Sequence, residues 1–141
     1  MSDIKDCPFC HLKERVLIEN DMATAFLSDP RKVKGHTLVT PKRHVEKPWE
    51  VTPEELQAVY ELIFKLEQKL ASGHGEGADI RQNYRPFLEQ SRLKVDHVHF
   101  HVIPRKKFDR IYEVAEHFDT VLFEKLTDDE QNEVRKLIEE A

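Results

Sequence analysis

Short apolar runs separated by polar turns fill the first part of the chain. Residues 15–20 and 22–28 are two such runs, and the Asn-Asp pair at their junction is typical of a hairpin turn. A third run, residues 36–40, begins after a glycine and stops at a proline, which lacks the N–H needed to continue a central strand. The pattern predicts three strands.

After residue 51 the short apolar runs give way to apolar residues at helical spacing. Thr52 is a candidate N-cap, Pro53 stands at the first helical position, and Glu55 completes a capping box. Apolar residues then recur every three or four positions, at Leu56, Val59, Tyr60, Ile63, Leu66 and Leu70. A glycine-rich stretch ends the pattern, so we predict one long helix over residues 52–71.

The second half of the chain contains both strand patterns and helix patterns. Residues 79–84 and 94–103 are strand candidates, the second with strong alternation up to Pro104. Residues 119–126 fit either a strand or a helix, whereas residues 127–140 show a helical pattern opened by a capping box. Strands, one central helix and more strands predict an α+β fold with a mainly antiparallel sheet and a C-terminal helix.

Composition narrows the class of protein. With 141 residues the chain has the size of one domain, and we expect a single domain over residues 1–141. The net charge of -5 argues against a nucleic-acid partner held by bulk positive charge, and two cysteines are too few for a disulfide scaffold. No apolar run is long enough to cross a membrane and no secretory signal is recognised, so a soluble, cytoplasmic protein is expected.

The most informative stretch is residues 97–103, His-Val-His-Phe-His-Val-Ile. Because alternate residues of a strand point to one face, His97, His99 and His101 are expected to share a face while the apolar residues cover the other. Three interpretations are open: a solvated strand face, a metal site, and phosphorus chemistry. For the last, a neutral imidazole is a competent nucleophile, and a neighbouring imidazole can bind an oxyanion or protonate a leaving group.

This stretch resembles the signature of the histidine triad family, His-φ-His-φ-His-φ-φ with φ apolar, at all seven positions. Residues 35–44, Gly-His-Thr-Leu-Val-Thr-Pro-Lys-Arg-His, resemble a strand that precedes the triad in that family, with His36 in a structural role. Residues 7–10, Cys-Pro-Phe-Cys, resemble the Cys-x-x-Cys that opens many members. The elements occur in the family's order.

The resemblance implies a fold and an activity. The fold is a five-stranded antiparallel sheet with a long helix, usually in a homodimer. The activity is hydrolysis or transfer of nucleotides at the α-phosphorus, with His99 forming a nucleotidyl-histidine intermediate and His101 contacting the phosphate and helping the leaving group. Candidate substrates are nucleoside phosphoramidates, dinucleoside polyphosphates, and nucleotide sugars or sulfates.

A Cys-x-x-Cys pair can serve redox chemistry, bind zinc or do neither. Redox motifs of this kind usually open a helix after a strand, whereas this pair precedes every predicted strand. In zinc-bearing members of the family two histidines complete the site. The resemblance therefore implies a structural Zn²⁺ bound to an N-terminal segment, residues 1–14, through the ligands Cys7, Cys10, His44 and His97. His11 is the alternative ligand.

The expected nucleotide contacts depart from the family pattern. Many members carry Asn-x-Gly and Gly-Gln-Ser/Thr-Val before the triad, but this chain has no glycine after residue 77. The candidates that remain for nucleotide binding are Ser28, Asp29, Asn83, Arg92, Lys94 and His101. Arg92 and Lys94 either bind phosphate as cations or form a solvated basic pair. Residues 31–34 add three positive charges, which either favour a polyphosphate or sugar-phosphate substrate or keep the loop soluble.

Three functions stay open at this point. The first is a nucleotide hydrolase or transferase. The second is a zinc-stabilised module that binds a nucleotide or a partner with little or no catalysis, and the third is an unrelated histidine-bound metalloenzyme. The C-terminal region, residues 105–141, is treated as variable, and its aromatic residues Phe108, Tyr112 and Phe118 either line the pocket or pack in a core.

Overall fold

The computed structural model describes residues 5–91 and 93–140. The chain divides into two compact units, Met1–Asp109 and Arg110–Ala141. The expectation of one domain over residues 1–141, like that of a cytoplasmic location, stays a prediction. Among the described helices, none combines the length and the apolar character that crossing a membrane requires.

The first unit is built on a five-stranded sheet in which every neighbouring pair is antiparallel. Its order is β1-β2-β3-β5-β4. The strands are β1 Val16–Glu19, β2 Ala23–Leu27, β3 Thr37–Pro41, β4 Gly77–Arg81 and β5 Phe100–Arg105. The α+β class and the antiparallel sheet predicted from the sequence are confirmed. The predicted Asn-Asp hairpin turn connects β1 and β2. Its Asn20 side chain accepts hydrogen bonds from the N–H groups of Met22 and Ala23.

The long helix α1, Pro53–Gly73, covers one face of the sheet and forms the main core with it. Both halves of the predicted capping box are present: Thr52 accepts from the Glu55 N–H, and the Glu55 carboxylate accepts from the Thr52 N–H. The buried residues of α1 recur at helical spacing and pack against Ala25, Val39 and Val102 of the sheet. This contact gives the sheet a dry face and leaves the other face for chemistry.

The strand predicted over residues 94–103 is wrong in its limits, because β5 begins at Phe100 and runs through Pro104 to Arg105. Before Phe100 the chain turns toward the segment after β3, where the Val98 N–H donates to the Val45 carbonyl over 2.7 Å. Pro104 lies beyond the last pair of β5 with β3, at Val102, and is opposite Ala78 of β4.

The second unit contains α2, Arg110–Val114, a short 3₁₀ turn, Glu116–Val121, and α3, Asp128–Glu139. The predicted C-terminal helix is confirmed with its capping box of Thr127 and Glu130. The ambiguous residues 119–126 form neither a strand nor an α-helix. None of Phe108, Tyr112 and Phe118 is buried, so the core packing considered for them is not seen.

Candidate active site and metal centre

One cleft of about 840 Å³ opens in the first unit beside the triad. Its walls include the start of β3, the loop before it, the segment after β4 and the segment that leads into β5. The predicted site residues that line it are Ser28, Asp29, Asn83, Lys94, His97, His99 and His101. Arg92 lies outside the described residues.

His99 is held in one tautomer by the backbone. Its Nδ1–H donates to the His97 carbonyl oxygen over 2.7 Å, so the proton of the neutral ring is on Nδ1 and the lone pair is on Nε2. Burial lowers the pKa of His99, while the hydrogen bond to the carbonyl opposes this effect. The ring is therefore neutral at physiological pH, with Nε2 as a nucleophile.

A second histidine pair lies next to it. The Lys32 backbone N–H donates to Nδ1 of His36 over 3.1 Å, which places the His36 proton on Nε2. That Nε2–H donates to Nδ1 of His101 over 2.9 Å, so the His101 proton is on Nε2. The rings of His99 and His101 are 5.1 Å apart. The two triad histidines thus carry complementary nitrogens, an acceptor on His99 and a donor on His101.

Burial is the main reason that both rings of this pair are neutral. It lowers the pKa of His36 to about 4, reinforced by the charges of Lys32 and Arg81. It lowers the pKa of His101 to about 3, reinforced first by His99 and then by His36. Near pH 7 His101 is therefore a neutral hydrogen-bond donor and not an acid.

The contact of His36 with His101 is a hydrogen bond, and the structural role expected for His36 stays a prediction. This hydrogen bond depends on the register of β3 and β5, in which Leu38 is opposite His101. His36 is two residues from Leu38, and such diagonal neighbours are within reach of two imidazole rings. A histidine at the start of a predicted strand was the available signal, but the strand register that brings it to His101 is not readable from the sequence.

The four predicted metal ligands come together in one cluster, and one of them, His97, lines the cleft. One donor atom from each of Cys7, Cys10, His44 and His97 lies within 4.8 Å of all the others. Three sulfur–nitrogen distances are 3.3, 3.4 and 3.6 Å. A tetrahedral zinc ion with ordinary bond lengths separates a sulfur from a nitrogen by about 3.6 Å. The donor set and its spacing therefore fit Zn²⁺.

The outer contacts of the two histidines direct their Nδ1 atoms to the sulfurs. The His97 Nε2–H donates to the Pro41 carbonyl over 2.9 Å, and the His44 Nε2–H donates to the Glu46 carboxylate over 2.8 Å. Burial raises the pKa of Cys7 to about 11, so the thiolate needs a cation beside it. These four protein ligands would occupy all four coordination positions of a tetrahedral ion, as in a structural zinc site.

Phe9 connects this cluster to the triad. It stands between the two cysteines in sequence and is buried. Its ring lies 6.1 Å from His97 and 5.1 Å from His99, edge to face in both cases, and 5.0 Å from Phe26. No signal in the sequence points to this position beyond its place between two cysteines. An ion that orders the cysteines would also order a wall of the His99 pocket.

The predicted nucleotide contacts differ in how free their polar groups are. The Lys94 ammonium forms an ion pair with Asp96, which reduces its charge toward a ligand. The Ser28 hydroxyl donates to the Pro30 carbonyl over 2.9 Å and can still accept. Asp29 and Asn83 are exposed at the cleft. The structure thus places these side chains at the cleft without assigning their ligand.

Comparisons with known sequences identify a family and several relatives of this chain. The sequence model of the HIT domain matches residues 11–108. An uncharacterized HIT-like protein of Methanocaldococcus jannaschii is 34% identical over 73% of this chain and 81% of its own length. An adenosine 5'-monophosphoramidase of Schizosaccharomyces pombe is 33% identical over 70% and 74%. A bis(5'-adenosyl)-triphosphatase of Dictyostelium discoideum is 28% identical over 94% and 91%.

Solved structures share the fold. A HIT family protein from Bacillus anthracis matches with a TM-score of 0.70 and 22% identity over 99% of each chain, a likeness of fold alone. A zinc-bound histidine triad family protein from Mycobacterium smegmatis matches with a TM-score of 0.62 and 25% identity, over 74% of this chain and 78% of that one.

Proposed function

Because the chain belongs to the histidine triad family, we propose that it is a nucleotide hydrolase or nucleotidyl transferase that acts at an α-phosphate. Its nucleophile is Nε2 of His99, which forms a nucleotidyl-histidine intermediate. The observation that carries this proposal is the hydrogen bond from Nδ1 of His99 to the His97 carbonyl, which leaves the lone pair on Nε2. The names of the fission yeast and Dictyostelium relatives support a nucleotide conjugate as the substrate.

The reaction consists of two displacements at phosphorus. First, Nε2 of His99 bonds to the α-phosphorus, and the bond to the leaving group breaks with its electron pair on that group. The positive charge that develops on the ring is stabilised by the His97 carbonyl at Nδ1. Then a water oxygen bonds to phosphorus, the nitrogen–phosphorus bond breaks, its electron pair returns to Nε2, and the water proton passes to solvent. A different acceptor in place of water gives transfer.

His101 acts on the phosphate oxygens. Its Nε2 carries the proton because His36 donates to Nδ1, so Nε2–H can donate a hydrogen bond to an oxygen that gains charge during each displacement. The ring is half-buried beside His99, where this donor acts in a medium of low polarity. His36 is thus a positioning residue that selects the tautomer of His101.

The metal site has a separate, structural role in this proposal. Cys7, Cys10, His44 and His97 would hold Zn²⁺, and these ligands come from the N-terminal segment and from the segments flanking β3 and β5. The ion supplies a cross-link and stabilises the two thiolates. Ser28, Asp29, Asn83, Arg92 and Lys94 are proposed contacts of the nucleotide. A homodimer is also proposed, as the family resemblance implies. Size-exclusion chromatography with light scattering tests the dimer, and a monomer would contradict it.

Trapping the intermediate tests the mechanism. The wild type is mixed with adenosine 5'-phosphoramidate and with diadenosine triphosphate, quenched in alkaline denaturant, and analysed by intact-mass spectrometry. We expect an adenylyl adduct that is absent from His99→Ala and present in His74→Ala, which removes an exposed histidine. Turnover by His99→Ala at the wild-type rate would refute the nucleophile. Nucleotide binding without turnover or adduct in the wild type would favour the binding module instead.

A further inference from the structure

Positive side chains gather at the end of the cleft that holds the His36–His101 pair. Lys32 and Arg85 both line the cleft, although they belong to separate loops. The Lys32 backbone is bonded to His36, so its side chain starts beside this pair. Arg81 of β4 is opposite His101 of β5 in the ladder, which places both side chains on one face of the sheet.

Two of these cations have no acidic partner among the residues that the structure describes. The charge of Arg81 is shared with Asp79, which also accepts from Arg105. In contrast, neither Lys32 nor Arg85 forms an ion pair with an acidic group in the described part of the chain. Like charges surround Lys32, since Arg81 and Arg85 add to burial in lowering the pKa of its ammonium. Such a concentration of unpaired charge is unfavourable in the free protein and favours an anionic ligand.

The opposite side of the cleft differs in charge. There Lys94 is neutralised by Asp96, and the carboxylate of Glu46 is bonded to the metal ligand His44. Arg15 and Arg31 also line the cleft, but Lys32 and Arg85 are the lining cations whose charges act on each other.

We propose that Lys32 and Arg85 form a subsite for the leaving group, and that the preferred substrate carries a polyphosphate there. This inference rests on the proposed function, because it takes the α-phosphorus to be at Nε2 of His99. The substrate class is a nucleoside 5'-polyphosphate conjugate, such as a dinucleoside polyphosphate. The phosphates beyond the α-phosphate lie over the Lys32 ammonium and the Arg85 guanidinium, which bind phosphate oxygens as charged donors.

The charge of the leaving group supports a polyphosphate substrate over a phosphoramidate. When the bond from the α-phosphorus to a bridging oxygen breaks, the electron pair stays on a phosphate oxygen, and the two cations stabilise the anion without proton transfer. An amine leaving group must gain a proton. With a pKa of about 3 for His101 and about 4 for His36, neither ring holds a spare proton at neutral pH. The site is thus suited to an anionic leaving group.

Kinetics with two substrates test the subsite. We compare kcat/KM for diadenosine triphosphate and adenosine 5'-phosphoramidate in the wild type, Lys32→Ala, Arg85→Ala and the double variant. Alanine keeps the Lys32 backbone N–H, so the bond to His36 is preserved. We expect the double variant to lose roughly 10- to 100-fold with the triphosphate, the range for charge-assisted contacts, and less than about threefold with the phosphoramidate. Lys34→Ala, which removes a charge of the same loop outside the cleft lining, is the matched control.

A binding measurement separates this inference from the proposed mechanism. Calorimetry with inorganic tripolyphosphate needs no turnover, and we expect affinity in the wild type and in Lys34→Ala that is lost in the double variant. Equal affinity in all three proteins, or equal kinetic losses with both substrates, would overturn the subsite. If the wild type still forms the adenylyl adduct in that case, the His99 mechanism is not contradicted. Absence of the adduct with intact tripolyphosphate selectivity would instead overturn the mechanism and keep the anion site.

Discussion

The buried pair of histidines predicts a specific sensitivity to acid. The pKa of His36 is about 4 in the folded protein, against 6.5 for the free side chain. Between these values the unfolded chain binds more protons than the folded protein, so the free energy of unfolding falls as the pH is lowered. Burial, the charges of Lys32 and Arg81, and the neighbouring His99 all oppose protonation in the fold. No carboxylate is among the groups that shift the pKa of His36.

The magnitude follows from the two pKa values. At pH 5.0 the unfolded imidazole is almost fully protonated and the folded one is mostly neutral, which costs about 2 kcal/mol relative to pH 7.5. The matched perturbation is His36→Gln, because the glutamine amide can still donate to His101 Nδ1 but does not titrate. Urea unfolding followed by far-UV circular dichroism gives the free energy of unfolding of both proteins at each pH.

We expect the wild type to lose about 2 kcal/mol more than His36→Gln between pH 7.5 and pH 5.0. The metal ligands titrate in both proteins, so their contribution cancels in the difference. Samples are measured with and without added Zn²⁺ to check this cancellation. Identical pH dependence in the two proteins would mean that His36 is not neutral and buried as described, and the tautomer assigned to His101 would lose its basis.

Three other perturbations test separate parts of the structure. Cys10→Ala should reduce bound zinc, measured by atomic emission, and lower the melting temperature, whereas unchanged metal content would refute the ligand set. Glu55→Gln should lower the free energy of unfolding by about 2 kcal/mol in urea titrations, because the buried Glu55 carboxylate loses the charge that accepts two hydrogen bonds from the partly exposed Arg43; a loss no larger than that of the exposed Glu54→Gln would contradict this. Phe9→Ala should cost about 3 kcal/mol and lower kcat, and an unchanged kcat would exclude its role as a wall for His99.

Features that depend on neighbours along the chain were predictable without a structure. The capping box of Thr52 and Glu55 and the apolar spacing that follows are local, so the helix was predicted over residues 52–71 and found at Pro53–Gly73. The hairpin at Asn20 and the second capping box at Thr127 were predicted for the same reason. Family membership followed from motifs that are contiguous in the sequence.

Tertiary structure decided the features that depend on how separate segments meet. The start of β5 depends on which residues face β3, and the alternation of residues 94–103 continues through a stretch that pairs with nothing in β3. The bond between His36 and His101 depends on strand register, which no local pattern specifies. Lys32 and Arg85 are more than fifty positions apart in the sequence, and only the folded loops bring their charges to one cleft. The tautomers of His99 and His101 and the proximity of Lys32 to Arg85 depend on such contacts, so these features are readable only from the fold.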